Sequence, residues 1–219
     1  MAKTPRYREK SAFYRRISNK GSGLKTNKRY WWQPFSLFVL RLVGWELIEE
    51  TPPKKKYVLI GAPHTSNWDW VFALLVMAGT GVRPRWVGKD SLFHGIMGPI
   101  MRGLGGISVV RGARKNFVGQ IIDVYDAKDE LVIALAPEGT RKYVDHWKSG
   151  FYYIAQGAQV PVAMGFVNYV EKKCGIGGFF TPSGNLDEDI NILHKFYTEN
   201  AKGRFPDNQA LVRFKTQPL

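Results

Sequence analysis

The feature that most constrains the fold of this chain is a regular alternation of short apolar runs with longer segments of helical periodicity, which begins near residue 57. The apolar runs predict strands at residues 57–60, 86–87, 107–110, 131–135, 160–167 and, as an edge strand, 176–180. Helical spacing predicts helices at residues 66–79, 92–101, 117–127, 148–156 and 186–201. Because strands that are apolar throughout are buried on both faces, this order predicts an α/β fold: a mixed, largely parallel sheet with helices on both faces.

Length and composition agree with one folded domain. The 219 residues lie near the roughly 100–200 residues of a typical domain. Hydrophobic residues make up 44% and charged residues 23% of the chain, which excludes a mainly disordered protein. The single cysteine, Cys174, excludes an intramolecular disulfide and a multi-cysteine zinc site, and it fits a reducing compartment.

The first 29 residues are strongly basic, and we expect them to form a flexible arm that precedes the folded domain at residues 30–219. They contain ten Lys or Arg and one acid, so the arm carries +9 of the formal net charge of +14. Gly21-Ser22-Gly23 adds a flexible break. Such an arm is either a solvated tail or a tether to phosphates, since each basic residue near an anionic bilayer contributes about 1 kcal/mol.

Residues 31–45 follow the arm as an aromatic, mostly apolar block that predicts an amphipathic helix. Pro34 and Arg41 interrupt the block, and no stretch of the chain reaches the roughly 18 uninterrupted apolar residues of a membrane-spanning helix. The helix lies either in a bilayer interface, with Trp at headgroup depth, or in the core of the domain. No apolar segment directly follows the first basic residues, so a secretory signal is not expected.

Residues 61–69, Gly-Ala-Pro-His-Thr-Ser-Asn-Trp-Asp, join the first strand to a helix, where ligands bind in sheets of this kind. Ser66 is a good N-cap, and Asp69 then falls where a short acid reaches back. A turn before the helix can bring the ring of His64 to Asp69, which would fix the tautomer and leave the other nitrogen as a general base. On this loop alone, Asp69 as a capping acid and His64 as a structural polar residue remain the alternative.

Residues 136–141, Ala-Pro-Glu-Gly-Thr-Arg, form a second loop directly after the strand at 131–135. Gly139 permits backbone angles that let a ligand approach closely. Arg141 offers a planar fork for a phosphate or carboxylate, and Glu138 could orient the loop or bind a hydroxyl. The alternative is a turn with solvated charges.

Taken together, His-x-x-x-x-Asp at 64–69 and Pro-Glu-Gly-Thr-Arg at 137–141 resemble the glycerolipid acyltransferase family, whose best-known members acylate lysophosphatidic acid or glycerol 3-phosphate. Two further blocks match in order, Gly-Ile-Ser-Val-Val-Arg at 106–111 and Val-Pro-Val at 160–162. The resemblance covers residues 57–167. The chain departs from the family's usual residues at Pro63, Ala136, Lys142 and Met164, which bear on substrate and chain-length preference more than on the reaction.

The resemblance implies a fold like that of glycerol-3-phosphate acyltransferase and an O-acyltransferase of phospholipid biosynthesis or remodelling. The acyl group would pass from a thioester, acyl-CoA or acyl-carrier protein, to a hydroxyl of a phosphorylated glycerol or lysophospholipid. His64 would take the proton of that hydroxyl, and Asp69 would orient His64. Backbone N–H groups near Gly139, in the loop that contains Glu138, would stabilise the oxyanion. The resemblance implies no metal and no cofactor besides the thioester co-substrate.

The same resemblance assigns the acceptor phosphate to basic and hydroxyl side chains. Arg111 and Arg141 would clamp it, with Lys89 as a third cation and Thr140 beside them; Lys89 could instead be a solvated loop residue. Lys148 also matches a family position, and it either holds a phosphate or faces water. Because both substrates are amphiphiles, we expect a cytoplasmic protein with peripheral, reversible association with an anionic membrane.

Two competing functions remain. A basic arm and many aromatic residues can bind single-stranded nucleic acid, but the charge lies in a tail and no RNA-recognition signature is present, so nucleic acid is not the expected partner. Within the enzymes, a phospholipid–lysophospholipid transacylase would use the same His64 and Asp69. His94 and His146 have no partner at a suggestive spacing, and no role is expected for them or for Cys174.

Overall fold

The computed structural model describes residues 32–50, 52–109 and 117–215. The basic arm and Arg111, both singled out in the sequence, lie outside the described residues. Seven strands form one sheet: β1 (Glu46–Glu49), β2 (Lys56–Ala62), β3 (Arg85–Lys89), β4 (Gly106–Val109), β5 (Leu131–Leu135), β6 (Val162–Asn168) and β7 (Lys173–Phe180). The helices of the described part are α1 (Gln33–Leu42), α2 (Trp68–Thr80), α3 (Met97–Gly103), α4 (Phe117–Asp126), α5 (Gly150–Gly157) and α6 (Leu186–Asn200).

The strand order of the sheet is β1-β7-β6-β2-β5-β3-β4. Every neighbouring pair is parallel except β6 and β7, which confirms the predicted mixed, largely parallel sheet. Strand β2 lies between β5 and β6, and Ile60 is in register with Leu135 on one side and Met164 on the other. The carboxyl ends of these three strands are therefore adjacent at the centre of the sheet.

Helices cover both faces of the sheet. Successive side chains of a strand point to opposite sides, so apolar strands present apolar side chains for packing on both faces. On one face, Val58 and Ile60 of β2 belong to the main core together with Tyr125 of α4, Ile154 of α5 and Leu193 of α6. On the other face, Tyr57 and Leu59 pack in a second cluster, and α1 and α2 build a third around Leu40 and Trp45. This arrangement confirms the predicted fold class.

The last strand was predicted at the wrong place in the sheet. Strand β7 begins at Lys173 rather than residue 176 and is not an edge strand, because β1 pairs with it in parallel on its outer side. Sequence periodicity missed β1 because its four residues, Glu-Leu-Ile-Glu, have acids at both ends and too short an apolar run. The helix predicted at 92–101 is divided into a 3₁₀ turn at Asp90–Phe93 and α3, since Gly95 between them has a φ of +59°.

Helix α1 has two different faces, and it ends at Leu42 rather than residue 45. Its inner face packs on α2: Leu40 is buried, and the Ser36 hydroxyl donates to the Leu75 carbonyl at 2.7 Å. Its outer face leaves large apolar side chains exposed, namely Phe35, Phe38, Leu42 and the following Val43. Thus the helix belongs to the domain core and also presents an apolar surface. Among the described helices, none is long and apolar enough to cross a membrane.

The two faces of α1 predict different costs for the same substitution. Leu40 is 1% exposed and Leu42 is 73% exposed. Leu40→Ala should destabilise the fold by about 2–5 kcal/mol, because it removes buried methyl groups and leaves a cavity. Leu42→Ala should change stability by less than about 0.5 kcal/mol. Urea unfolding of the two variants measures both values, and equal losses would contradict the packing of α1.

Candidate active site

The two motif loops meet at the carboxyl ends of β2 and β5. The backbone N–H of His64, after β2, donates to Oε2 of Glu138, after β5, at 2.8 Å. The Glu138 side chain is almost fully buried, so this hydrogen bond lies between the loops rather than in solvent. Of the two roles expected for Glu138, orienting a loop is the one that this contact performs.

His64 and Asp69 lie beside each other, with 3.4 Å between Nδ1 of the ring and Oδ2 of the carboxylate. The same Oδ2 accepts hydrogen bonds from the backbone N–H groups of Thr65 and Ser66, each at 2.7 Å. Asp69 therefore caps the loop and also faces His64. The two roles considered for it from the sequence, a capping acid and a partner of His64, are compatible. A distance of 3.4 Å is longer than a typical hydrogen bond, so the ring and the carboxylate are in contact without a short hydrogen bond between them.

Helix α2 begins two residues later than predicted. Its first residue is Trp68, and Asn67 rather than Ser66 occupies the N-cap position. The Ser66 hydroxyl nevertheless accepts the N–H of Trp68 at 3.2 Å. Asp69 accepts the amides of Thr65 and Ser66, so it satisfies donors of the turn that leads into the helix.

Tyr169 is a residue of this site that sequence reasoning missed. Its hydroxyl donates to Oδ1 of Asp69 at 2.7 Å. It directly follows β6, so it stands at the carboxyl end of the strand that flanks β2 on the side away from β5. The available signal was this position after an apolar strand, which is the same signal that marked the other two loops.

Burial and hydrogen bonding set opposite pKa directions for the two carboxyl groups of the site. Burial disfavours the charged form of Asp69, but the contact with the His64 ring and the hydrogen bonds from Tyr169 and the two loop amides outweigh it and leave its pKa lowered. For Glu138, burial dominates over its contacts with His64 and raises its pKa to about 7. Asp69 is thus ionised at neutral pH, whereas Glu138 changes its protonation state there.

The loop after β5 is closed by its own backbone. Gly139 has a φ of +68°, and its N–H donates to the Ala136 carbonyl at 3.1 Å. This hydrogen bond removes the Gly139 N–H from the candidate oxyanion donors. The amide of Lys148 donates to the Pro137 carbonyl at 2.9 Å, and its ammonium lies where a side chain at position 139 would project. The structure therefore brings Lys148 onto this loop.

Three of the residues predicted to bind a phosphate, Lys89, Thr140 and Arg141, lie along the same edge of the sheet. Arg141 is exposed, and the half-buried Thr140 accepts the N–H of Lys142 on its hydroxyl at 3.3 Å. Lys89 ends β3 and is in register with Val109, the last residue of β4. Arg111 follows two residues later, outside the described residues. Because β3 runs parallel to β5, Lys89 stands at the edge of the sheet that carries His64.

An apolar cavity of about 300 Å³ opens beside His64 and Asp69. It lies between α2 and the sheet, and its apolar wall includes Leu59, Phe72, Val76, Met77, Trp86 and Phe166. Gly61 also lines it, and a side-chain carbon at that position would meet no atom within 4 Å. Cys174 is buried at this wall, and burial raises the pKa of its thiol to about 12, so it is a neutral wall residue. The cavity can hold about ten groups of the size of a water molecule.

A second histidine–aspartate pair lies on the surface, where His146 contacts Asp145. Its Nδ1 lies 2.5 Å from Oδ1 of Asp145, and Arg213 contacts the same carboxylate at 3.2 Å. The Asp145 carboxylate is exposed, unlike that of Asp69. In the part of the chain that the structure describes, no group of three or more His, Cys, Asp or Glu side chains could hold a metal ion.

Comparison with known proteins gives a family and a fold. The sequence model of the family described as Acyltransferase matches residues 44–164. Among solved structures, the 1-acyl-sn-glycerophosphate (LPA) acyltransferase PlsC from Thermotoga maritima is similar with a TM-score of 0.53 and 18% sequence identity, over 79% of each chain. At this identity the likeness establishes a shared fold. No match was found among curated proteins.

The buried Glu138 predicts a pH dependence of stability. Its pKa is raised from the ordinary value of 4.5 to about 7, so folding favours the protonated form. Stability is therefore highest below the unfolded pKa and falls as the pH rises through the folded one, by roughly 3 kcal/mol in total. Glu138→Gln keeps an acceptor for the His64 N–H without the charge, so it should lose that dependence. Urea unfolding at several pH values between 4.5 and about 8 measures the free energy of unfolding of both proteins. The same pH dependence in both would refute the prediction.

Proposed function

Because this chain belongs to the acyltransferase family, we propose that it transfers an acyl group from a thioester to a hydroxyl of a phosphorylated glycerol or lysophospholipid. The observation that carries the proposal is the placement of His64 and Asp69 at the polar end of an apolar cavity. A general base and a pocket for a hydrocarbon chain are the two parts that such a transfer requires. The donor is acyl-CoA or acyl-carrier protein.

His64 acts as the general base. Its Nδ1 faces the ionised Asp69, which favours the tautomer with the proton on Nδ1 and leaves Nε2 free to accept the proton of the acceptor hydroxyl. The hydroxyl oxygen attacks the thioester carbonyl and forms the new C–O bond. Collapse of the tetrahedral intermediate breaks the C–S bond, and the thiolate leaves with the proton from the imidazolium. N–H groups of the 136–141 loop other than that of Gly139 stabilise the oxyanion.

The acyl chain of the donor occupies the cavity between α2 and the sheet. Its wall is apolar, and about ten groups of the size of a water molecule fill its volume. A chain held there has its carbonyl end directed toward His64, because His64 and Asp69 supply the polar part of the lining. Burial of the chain also removes apolar surface from water, which favours binding.

The acceptor phosphate binds along the basic edge next to the cavity. Arg141 belongs to the loop after β5, and Lys148 contacts that loop at Gly139. In the sequence of the loop, Thr140 lies between Glu138 and Arg141. Lys89, the last residue of β3, and Arg111, which follows β4 in the sequence outside the described residues, are the further cations proposed for this phosphate. Guanidinium groups suit this task because their planar fork matches two phosphate oxygens.

A thiol-release assay with acyl-CoA and a panel of lysophospholipids and glycerol 3-phosphate tests the transfer. His64→Ala should lower kcat by roughly 10²–10⁴-fold, the usual contribution of a general base. His146→Ala, which breaks the exposed pair with Asp145, is the matched control and should retain kcat. Arg141→Ala should raise KM for phosphorylated acceptors.

Two results would contradict this mechanism. Full turnover by His64→Ala would remove it as the base. Release of labelled acyl groups from a phospholipid but not from acyl-CoA would assign the chain to the transacylases instead.

We further propose peripheral, reversible association with an anionic membrane. Helix α1 exposes Phe35, Phe38 and Leu42 on one face, and a large exposed apolar face is typical of helices that lie in a bilayer interface. The basic arm precedes this helix in the chain and carries +9. An apolar face and a basic segment together provide the two signals that stable reversible anchoring needs.

Sedimentation with anionic liposomes at low and high salt tests this association. Removal of residues 1–29 should abolish the salt-sensitive part of binding, since exposed charges are screened by salt. Leu42→Ser should weaken binding roughly tenfold, because it removes a side chain that would be buried in the interface. Leu211→Ser alters an exposed leucine outside α1 and should have no effect. Equal pelleting of all four proteins would contradict the proposal.

A further inference from the structure

We propose that Tyr169 is a positioning residue for the His64–Asp69 pair: its hydroxyl holds one carboxylate oxygen of Asp69 so that the other faces His64. The inference rests on the proposed function for its catalytic consequence, but its geometric part stands on contacts alone. Tyr169 lies beyond residues 44–164, which the family model matches. It is therefore an addition to the motif residues.

Asp69 is held at both of its oxygens. Oδ2 accepts the N–H groups of Thr65 and Ser66 and faces Nδ1 of His64 at 3.4 Å. Oδ1 accepts the hydroxyl of Tyr169 at 2.7 Å. Because the two sets of donors lie on opposite sides of the carboxylate, rotation about its Cβ–Cγ bond would break hydrogen bonds at both ends. The orientation that faces His64 is thereby fixed.

The Tyr169 ring is itself held in place by aromatic neighbours. It meets Trp45 edge-on at a centroid distance of 5.2 Å and Phe72 at 5.6 Å, and those two rings lie 3.9 Å apart. Trp45 comes from the chain before β1, Phe72 from α2 and Tyr169 from the end of β6. Three separate segments therefore meet at the Tyr169 ring. Such packing holds the ring in the position from which its hydroxyl donates to Asp69.

The backbone at Tyr169 is equally constrained. Its N–H donates to the Lys202 carbonyl at 3.0 Å. The preceding Asn168 is buried, and its side-chain oxygen accepts the N–H groups of Val170 and Glu171 at 3.1 and 2.9 Å. The phenol therefore projects from a turn whose backbone is fixed before and after Tyr169. Because the turn is already ordered, the phenol loses little further conformational entropy when substrate binds.

Loss of the hydroxyl would leave Oδ1 of Asp69 without its donor in a mainly apolar environment of rings. A buried charge that loses a partner is costly, and the carboxylate, then held only by the two loop amides at Oδ2, would tilt to find another donor for Oδ1. Such a tilt weakens the contact of Oδ2 with Nδ1 of His64, so the imidazole keeps its proton on Nδ1 in fewer molecules. Fewer molecules then present an unprotonated Nε2 to the acceptor hydroxyl, which lowers kcat without altering either substrate-binding surface.

Steady-state kinetics of Tyr169→Phe in the thiol-release assay tests the proposal. We expect kcat to fall roughly tenfold with KM for both substrates unchanged, as befits the loss of one hydrogen bond to a charged group. Tyr125→Phe is the matched control, because the buried Tyr125 hydroxyl donates to the Tyr57 carbonyl at 2.8 Å, near the opposite end of β2. It should retain kcat.

A double-mutant cycle separates positioning from a general structural effect. In an Asp69→Ala background, Tyr169→Phe should cause no further loss of kcat, since the hydroxyl acts only through that carboxylate. The ¹⁵N chemical shifts of His64 should show its proton on Nδ1 in the wild type and a mixture of tautomers in Tyr169→Phe. The NMR readout needs no turnover.

Several outcomes would overturn the proposal. These are an unchanged kcat in Tyr169→Phe, additive losses in the cycle, unchanged His64 shifts, or a Tyr169→Phe protein that melts below the assay temperature while Tyr125→Phe does not. If the wild type acylates no acceptor of the panel, the proposed function fails, and the NMR comparison alone decides the role of Tyr169.

Discussion

The position of β2 between two parallel neighbours is the constraint on which the site depends. Each of the three strands ends at the same edge, and each delivers one part: His64 after β2, Glu138 after β5 and Tyr169 after β6. The hydrogen bond from the His64 amide to the buried Glu138 joins two of these loops, and the Tyr169 hydroxyl joins the third through Asp69. Backbone pairing in the sheet thus determines side-chain distances at its rim.

The sequence was sufficient for the sheet interior and for the loops that carry motifs. Strand β5, for example, is apolar at every position and was predicted with its observed bounds. His64 and Asp69 were predicted to meet because a turn before a helix folds back on its first residues. These features depend on local sequence alone, so they could be predicted before the structure was known.

Features that depend on contacts between distant segments were not predictable in the same way. Strand β1 has only two apolar residues, and it forms because β7 offers it a parallel partner. Tyr169 joins the site from 100 residues beyond Asp69, through strand order that the sequence does not specify. Backbone N–H groups near Gly139 were expected to stabilise an oxyanion, but the hydrogen bond of the Gly139 N–H itself to the Ala136 carbonyl became visible only with backbone coordinates.

Gly61 is a position where a substitution can change the volume of the cavity at little cost to the stability of the fold. It belongs to the central strand, yet the space beside its α-carbon is vacant rather than filled by neighbouring side chains. A methyl group added there would reduce the volume of the cavity while leaving the surrounding packing intact. A single backbone position thus limits the size of the cavity independently of the scaffold around it.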